Sequence, residues 1–309
     1  MHLVNAPLPE NQMKILILGA TGQQGSELQR SLSSFGQLTT LGTHDAHYYC
    51  DLQHTNELIK FLKQIRPSVI VNAAAYTAVD QAQKNPEMAR QINAVVPSVL
   101  AREATAIDAW LIHYSTDYVF SGKGSRPWVE TDPAEPLSVY GQTKLEGDLA
   151  IQASGCKHLI LRTSWLYSKH GKNFVRSILQ RAQTQDHLAV VNDQFGAPTS
   201  ASLIANLTAH ALKQVMQRPE LGGLYHVAAQ GETSWFDYAR FILERAREDG
   251  IPLRVMPDEI EPVSSKDYGA LAPRPANSRL NTDKFCTTFG VNLPPWQEGV
   301  AQLVAELAQ

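Results

Sequence analysis

Three short constellations in this chain carry residue types that could do chemistry together. Tyr140 and Lys144 stand four apart in Tyr140-Gly141-Gln142-Thr143-Lys144. On a helix, positions i and i+4 share a face, so a phenol and an ammonium can meet over one substrate. A nearby cation favours phenolate and draws the tyrosine pKa down from about 10, which suits a general acid or base. Taken alone, the pair equally fits an exposed helix face. Ser115-Thr116-Asp117-Tyr118 follows the apolar stretch WLIH. A hydroxyl at the carboxyl end of a strand can donate to a carbonyl oxygen and polarise it. Strand alternation sends Ser115 to the opposite face and leaves Thr116 as the candidate, with a turn-forming role as the plainer reading.

The third constellation is Gly19-Ala20-Thr21-Gly22-Gln23-Gln24-Gly25, a GxxGxxG between an apolar run and an amphipathic stretch. The first glycine permits a tight turn, and the next lets the backbone approach a pyrophosphate at a helix N-terminus. Gly19, Gly22 and Gly25 therefore mark a dinucleotide site. An acid holding a ribose 2′-hydroxyl would stand about 20 residues on, at the end of the second strand. There the chain reads Leu41-Gly42-Thr43-His44-Asp45, with Asp45 three positions past Gly42. Thr43 and His44 leave room and donors for a 2′-phosphate, but no arginine is present. NADPH or NADH is expected, with a slight preference for NADPH.

Lesser candidates accompany these. Asp51-Leu52 follows the short run YYC and caps either an adenine or only a loop and the core. Asn72-Ala73-Ala74-Ala75 closes SVIV with small residues against which a flat nicotinamide could lie. Trp165 ends HLILRTSW, where it either stacks on a sugar or base or fills the core. Arg274 and Arg279 flank Ala276-Asn277-Ser278 and either clamp a diphosphate or point to solvent. Asn192 to Pro198 reads as a structured turn near a substrate. No histidine pair has HExxH spacing and the three cysteines form no CxxC, so no metal ligand set is assigned.

These groups need a scaffold, and the composition supplies one. Of 309 residues, 43% are hydrophobic and 18% charged, with a net charge of −3. That excludes disorder as the main state and gives no basic footprint for nucleic acid. No apolar run is long enough to span a bilayer, so a soluble, cytoplasmic protein with a reduced thiol set is expected. Strands are expected at 13–18, 37–42, 68–75, 110–116 and 158–165. Helices are expected at 26–36 with Gly36 as a stop, at 56–65, after Pro86, from about Ser138, and at 173–183, 200–217, 234–248 and 295–307. The alternation predicts an α/β fold: a doubly wound parallel Rossmann sheet with a second, smaller mixed α/β substrate domain. Its expected divisions are a leader at 1–12, an NAD(P)-binding domain at 13–165, and a substrate domain at 166–309 that can return elements to the first.

At GATGQQG, VNAAAYTAVD, HYSTDYVF, YGQTKLEGD, RTSWLY, NDQFGAPT, GLYH and NSRLNT, in that order, the sequence resembles the extended short-chain dehydrogenase/reductase superfamily. Within it, the chain is similar to the dTDP-4-dehydrorhamnose reductase family from about Met13 onward. The resemblance implies reduction of the C4 keto group of dTDP-4-dehydro-6-deoxy-L-mannose, the last step of dTDP-L-rhamnose synthesis on the way to O antigen and lipopolysaccharide. It implies Thr116, Tyr140 and Lys144 as the catalytic triad. Gly22, Gln23 and Gln24 would lie along the cofactor pyrophosphate, Asp51 and Leu52 by the adenine, and Ala75, Tyr76 and Thr77 along the nicotinamide, where Tyr140 and Lys144 would also meet the cofactor. Thr116, Asp117 and Trp165 would meet the deoxysugar. Members that use NADH well carry an acid where Gly42 stands. The resemblance also brings magnesium and a homodimer into view, although no acidic cluster can be placed. An epimerase or dehydratase, or a cofactor-binding regulatory subunit on the same fold, are the alternatives. Tyr118 in place of an Asp-Glu pair after Thr116 speaks against a dehydratase, and the intact triad against a regulatory subunit.

Overall fold

Residues 13–44 and 46–308 are described by the structure, a computed structural model, so the expected leader at 1–12 and Asp45 lie outside the described residues. Strand β1 (Met13–Leu18) shows why the first half folds as it does. Ile15 and Ile17 pack on one side of the sheet with Leu28, Leu32, Ile204 and Leu212, while Leu16 and Leu18 pack on the other with Leu58, Leu62 and Leu100. Alternate side chains of a strand point to opposite faces, so a continuous apolar run is buried only between two helical layers. Each such side chain contributes roughly 1.5–3 kcal/mol by leaving water.

The remaining strands follow the same logic: β2 (Gly36–Gly42), β3 (Tyr48–Tyr49), β4 (Val69–Asn72), β5 (Trp110–Thr116) and β6 (His158–Thr163). Between them run α1 (Gln23–Leu32), α2 (Thr55–Ile65), α3 (Val79–Lys84), α4 (Pro86–Arg90), α5 (Val96–Ile107) and α6 (Val139–Ala153). A seventh strand from the second half, β11 (Gly223–His226), completes a sheet ordered β3-β2-β1-β4-β5-β6-β11, parallel throughout. The order reverses at β1 and β4, where doubly wound sheets open a crevice at the strands' carboxyl ends.

Four local expectations are corrected. The helix expected at 26–36 starts earlier, at Gln23, and stops at Leu32. Gly36 opens β2 opposite Met13 rather than closing the helix. The strand expected to reach Trp165 ends at Thr163, because Trp165 turns to a left-handed φ of 45°. The strand expected at 68–75 ends at Asn72, and the three alanines leave the sheet. The long helix after Pro86 is interrupted by a π-helical segment, Gln91–Val95, between α4 and α5.

Beyond β6 the chain forms β7 (Leu166–Tyr167), α7 (Phe174–Thr184), β8 (Ala189–Val191), β9 (Phe195–Gly196), β10 (Thr199–Ser200), α8 (Ala201–Val215) and β11 (Gly223–His226). Then come β12 (Thr233–Ser234), α9 (Trp235–Glu248), β13 (Glu261–Val263), α10 (Ser265–Tyr268), α11 (Asp283–Phe289) and α12 (Trp296–Leu307). A second apolar core gathers Val175, Ile178, Tyr238, Ile242, Trp296 and Val300 from α7, α9 and α12. By contrast, α8 and α11 contribute Ile204 and Phe285 to the core beneath β1. Among the described residues, no helix is long and apolar enough to cross a membrane.

Candidate active site

Two close approaches build the site. Ser138 caps α6 by accepting from the Gly141 N–H at 3.2 Å, which sets the helix start one residue before Tyr140. A Cβ on Gly141 would stand 2.1 Å from the Tyr118 carbonyl oxygen, so only glycine lets the turn after β5 lie against α6. Tyr140 is thereby brought edge-on to Tyr118, with ring centroids 5.5 Å apart. It also stands within hydrogen-bonding reach of Thr116. Ser115, on the other face of β5, donates to Asp148 at 2.8 Å, as strand alternation predicts.

Thr116, Asp117, Tyr140, Lys144, Gln24 and Trp165 wall one cavity of about 370 Å³. Ala75 and Thr77 line it as well, whereas Tyr76 turns its backbone to Asn93, which accepts from its N–H at 2.8 Å and donates to its carbonyl at 3.1 Å. Across the cavity lies the glycine turn. Gly19 has φ 73°, and a Cβ there would meet the backbone of Ala73 and Ala74 within 2.8 Å. Gly22 caps α1 and Gly25 sits buried in its first turn. A helix start leaves its first N–H groups without partners inside the helix, and its dipole favours an anion there. Gln24 buries both amide atoms with no partner. Gln23 lines the same cavity and also reaches the second half, accepting from Asn173 at 3.1 Å and Ser168 at 3.3 Å. The residues Asp51 and Leu52 lie away from this cavity. Asp51 accepts from the Gln53 N–H at 2.9 Å, and Leu52 packs against the core on the α2 side.

Burial dominates the electrostatics. It raises the Tyr140 pKa, with Asp117 and Asp148 adding to the rise and the bond to Thr116 opposing it. The net shift therefore runs against the lowering expected from Lys144. Its Nζ donates to the Tyr114 carbonyl at 2.5 Å and lies 3.1 Å from His113 Nε2. Burial pulls Lys144 down to about 8, against the pull of Asp148. Burial likewise pushes Asp117 up to about 7, although bonds to Ser278, its own backbone and Thr116 oppose it; its Oδ2 has no partner.

Trp165 is half-buried between the second core and the cavity. Its ring stacks on Trp235 at 3.7 Å and also walls the cavity. The expected two-arginine clamp does not form. Arg279 pairs with Glu232 and stacks over Phe195, whereas Arg274 donates to Asp80 at 2.7 and 3.0 Å. Arg274 does face a second cavity of about 570 Å³, shared with Asp80, Tyr118, Arg181 and Trp235. Near it, Gln194 donates to Ser265 at 2.8 Å. Sequence reasoning passed over Asn93, His113, Asp148 and Asp80. Of these only Asp148 left a signal, eight residues past Tyr140 and thus on the same helical face. Among the described residues, no group of three or more His, Cys, Asp or Glu gathers as a metal site.

A parallel sheet in this order, a glycine turn opening α1, and Thr116, Tyr140 and Lys144 on one cavity wall define a nucleotide-dependent oxidoreductase of short-chain dehydrogenase/reductase type. The family described as "RmlD substrate binding domain" matches residues 13–309. The dTDP-4-dehydrorhamnose reductase of Escherichia coli K12 is 48% identical over 295 residues, covering 96% of this chain and 98% of that protein. That of Salmonella typhimurium LT2 is 46% identical over the same length and shares. The crystal structure of dTDP-4-dehydrorhamnose reductase from Bacillus anthracis in complex with NADP superposes with a TM-score of 0.86 at 30% identity, covering 96% of this chain and all of that one. The chain belongs to the dTDP-4-dehydrorhamnose reductase family.

Proposed function

We propose that this chain catalyses NAD(P)H-dependent reduction of the C4 keto group of dTDP-4-dehydro-β-L-rhamnose to dTDP-L-rhamnose, the last step of dTDP-rhamnose biosynthesis. One observation carries the reading: a chain 48% identical to such a reductase over nearly its whole length brings Thr116, Tyr140 and Lys144 to one cavity wall. The residues present fit a dinucleotide. Gly19 makes a turn that other residues resist, and the Gln24 amide is buried without a partner beside the start of α1. Gly22, Gln23 and Gln24 would hold the pyrophosphate, Asp51 and Leu52 the adenine half, and Ala75, Tyr76, Thr77 and Lys144 the nicotinamide half. When bound, the reduced nicotinamide supplies a hydride.

The protein's own groups handle charge and position. Tyr140 gives its hydroxyl proton to the C4 oxygen as charge develops there, and its raised pKa keeps it protonated until that moment. Thr116 donates a hydrogen bond to the same oxygen. Lys144 supplies a cation close by, and Asp117 and Trp165 hold the deoxysugar. Arg274 is assigned to the diphosphate because it lines the larger neighbouring cavity with a bidentate donor fork. Gly42 at the end of β2 favours NADPH over NADH, since no carboxylate stands there to repel a 2′-phosphate. Residues 13–165 form the cofactor lobe and the later residues chiefly the substrate lobe. Magnesium and a homodimer are suggested by the family resemblance, and a cytoplasmic location by the lack of a long apolar run and by the scattered cysteines.

The test is consumption of NADPH and of NADH with enzymatically prepared keto-sugar, the product being identified by mass spectrometry. Turnover to dTDP-L-rhamnose is expected, faster with NADPH. Folded protein that binds nicotinamide but turns over neither would overturn the substrate assignment.

A further inference from the structure

Beneath the cavity, α6 carries a third polar side chain in phase with Tyr140 and Lys144. This is Asp148, wholly buried, whose Oδ2 accepts from Ser115 at 2.8 Å and from Arg162 Nε at 3.0 Å. Its Oδ1 has no hydrogen-bond partner and stands 3.9 Å from His113 Nε2. His113 is also wholly buried, in the middle of β5 and in register with Asn72 of β4. Its Nδ1 lies 3.0 Å from the Asn72 amide nitrogen, and its Nε2 lies 3.1 Å from Lys144 Nζ. A buried imidazole costs free energy that a leucine would not, unless both nitrogens are matched. Here both are engaged, and one of them by Lys144.

Counting donors exposes a constraint. A neutral imidazole has one N–H and one accepting nitrogen. With the Asn72 amide N–H given to Nδ1, the ring proton sits on Nε2, and Lys144 can meet it only as a neutral, accepting amine. Turning the Asn72 carboxamide end for end, with loss of the bond its Oδ1 accepts from the Ala74 N–H at 3.3 Å, offers its oxygen to Nδ1. The ring proton then moves to Nδ1, and Nε2 accepts from a Lys144 ammonium. The two states differ by one proton. The tautomer of His113 and the charge of Lys144 therefore change together.

We propose that His113 is a positioning residue for the reduction: through Nε2 it holds Lys144 against the Tyr114 carbonyl, and its tautomer sets whether Lys144 carries charge beneath Tyr140. The other charged or titratable groups around this lysine are Asp148 and Tyr140 from α6, Tyr114 from β5, and Asp117 and Tyr118 past the end of β5. Arg162 of β6 is committed to Asp148, and Asn72, Asn93 and Gln24 from the remaining neighbours are neutral. Burial already brings Lys144 down to about 8, so its proton exchanges within the working range. Only the turnover arm of the test rests on the proposed substrate.

Three proteins decide it: wild type, His113→Gln and His113→Leu. A glutamine amide oxygen reaches the place of Nε2 and accepts from an ammonium but has no tautomers. Leucine removes the acceptor. NADPH affinity by fluorescence, and kcat and KM for the keto-sugar, are measured between about pH 6 and 9. Nitrogen NMR of wild-type His113 is followed over the same range, its signal identified by its loss in His113→Gln. For His113→Leu, kcat should fall roughly 10- to 100-fold, the cost of a misplaced group, with sugar KM within about twofold. The pH profiles of kcat and of NADPH affinity should both shift. His113→Gln should recover most of kcat at neutral pH without recovering the wild-type profile. The wild-type ring proton should pass from Nδ1 to Nε2 as pH rises.

Superimposable pH profiles among the folded proteins would overturn the proposal, as would equal loss in both variants with unchanged profiles. If His113→Leu does not fold, a wild-type tautomer that stays constant across the range overturns it. If wild type fails to reduce this sugar, the substrate reading falls, while the NADPH and NMR arms still test His113.

Discussion

Gly141 and Tyr118 touch so closely that one methyl group would not fit between them: a Cβ on Gly141 would lie 2.1 Å from the Tyr118 carbonyl oxygen. The contact sets the distance from Tyr140 to the end of β5, where Thr116 and Asp117 stand. Gly141→Ala should push the two apart, costing about 1–3 kcal/mol in stability as overpacking does. An ångström of displacement should also cost about 100-fold in kcat/KM. Thermal melts beside steady-state kinetics check this; an alanine variant with wild-type turnover would free Tyr140 from that constraint.

Tyr140→Phe keeps the ring against Tyr118 and removes only the proton. Turnover should fall roughly 10²–10⁴-fold, the usual loss of a general acid, while NADPH affinity changes little. Near-normal turnover would take Tyr140 out of the acid role.

The buried Asp117 carboxyl gives stability a pH dependence of definite sign. Its folded pKa is raised to about 7 from an ordinary 3.8, so between those values the folded state holds a proton that the unfolded state has lost. Stability from this group is therefore full below about pH 4, falls as pH rises, and levels off above about 7. The slope is at most about 1.4 kcal/mol per pH unit. Asp117→Asn should abolish it and be more stable than wild type at pH 8. The comparison with wild type is essential, because His226, lowered to about 3 by burial, acts in the opposite sense over the acid range. Urea denaturation of both proteins at several pH values decides the matter.

Arg274 and Asp80 form a bidentate pair at the mouth of the larger cavity, with the Asp80 side chain 43% exposed. Exposed pairs stabilise by about 0–1 kcal/mol, so Asp80→Ala should barely change the melt. Arg274→Ala should raise sugar KM about tenfold or more, and Arg274→Lys should not restore it, since a lysine lacks the planar fork. Equal KM for all three would remove Arg274 from the diphosphate.

At Gly42 a new side chain would find ordinary van der Waals distance, 3.4 Å to the Ala46 Cβ. Gly42→Asp should therefore fold. A carboxylate there bonds a ribose 2′-hydroxyl and repels a 2′-phosphate, so the ratio of kcat/KM for NADPH to that for NADH should drop by about tenfold or more. An unchanged ratio would place the cofactor choice elsewhere.

Much of this scaffold could be read from the chain because its signals are local. Ile15 to Leu18 is apolar on every residue and must lie between two layers, and the glycines after it make a turn few other sequences make. Where the reading slipped, a tertiary contact outweighed local pattern. Gln23 and Gln24 are too polar to look like a helix start, yet they begin α1. Gly36 resembles a helix stop but belongs to β2, beside Met13. Tyr140 and Lys144 were legible as a helical pair, whereas the lysine's partners, His113 and the Tyr114 carbonyl, lie on a strand some 30 residues away in sequence. A lone histidine in an apolar strand announces nothing. Only the fold shows what it faces.

The π-helical segment from Gln91 to Val95 has a consequence for how this helix can change. A π turn holds one residue more than the α-helix around it, and each residue of an α-helix advances the spiral by about 100°. The segment therefore works as a phase shifter in one long rod. On one side of it α5 presents Val96, Leu100 and Ala104 to the sheet, and on the other Arg90 of α4 meets Glu146 of α6 at 2.7 Å. Asn93, at the shift itself, grips the backbone of Tyr76. Loss of a single residue here would restore a regular spiral and turn the two halves out of step. The length of the segment, as much as the Asn93 side chain within it, thus keeps the wall of the cavity in register.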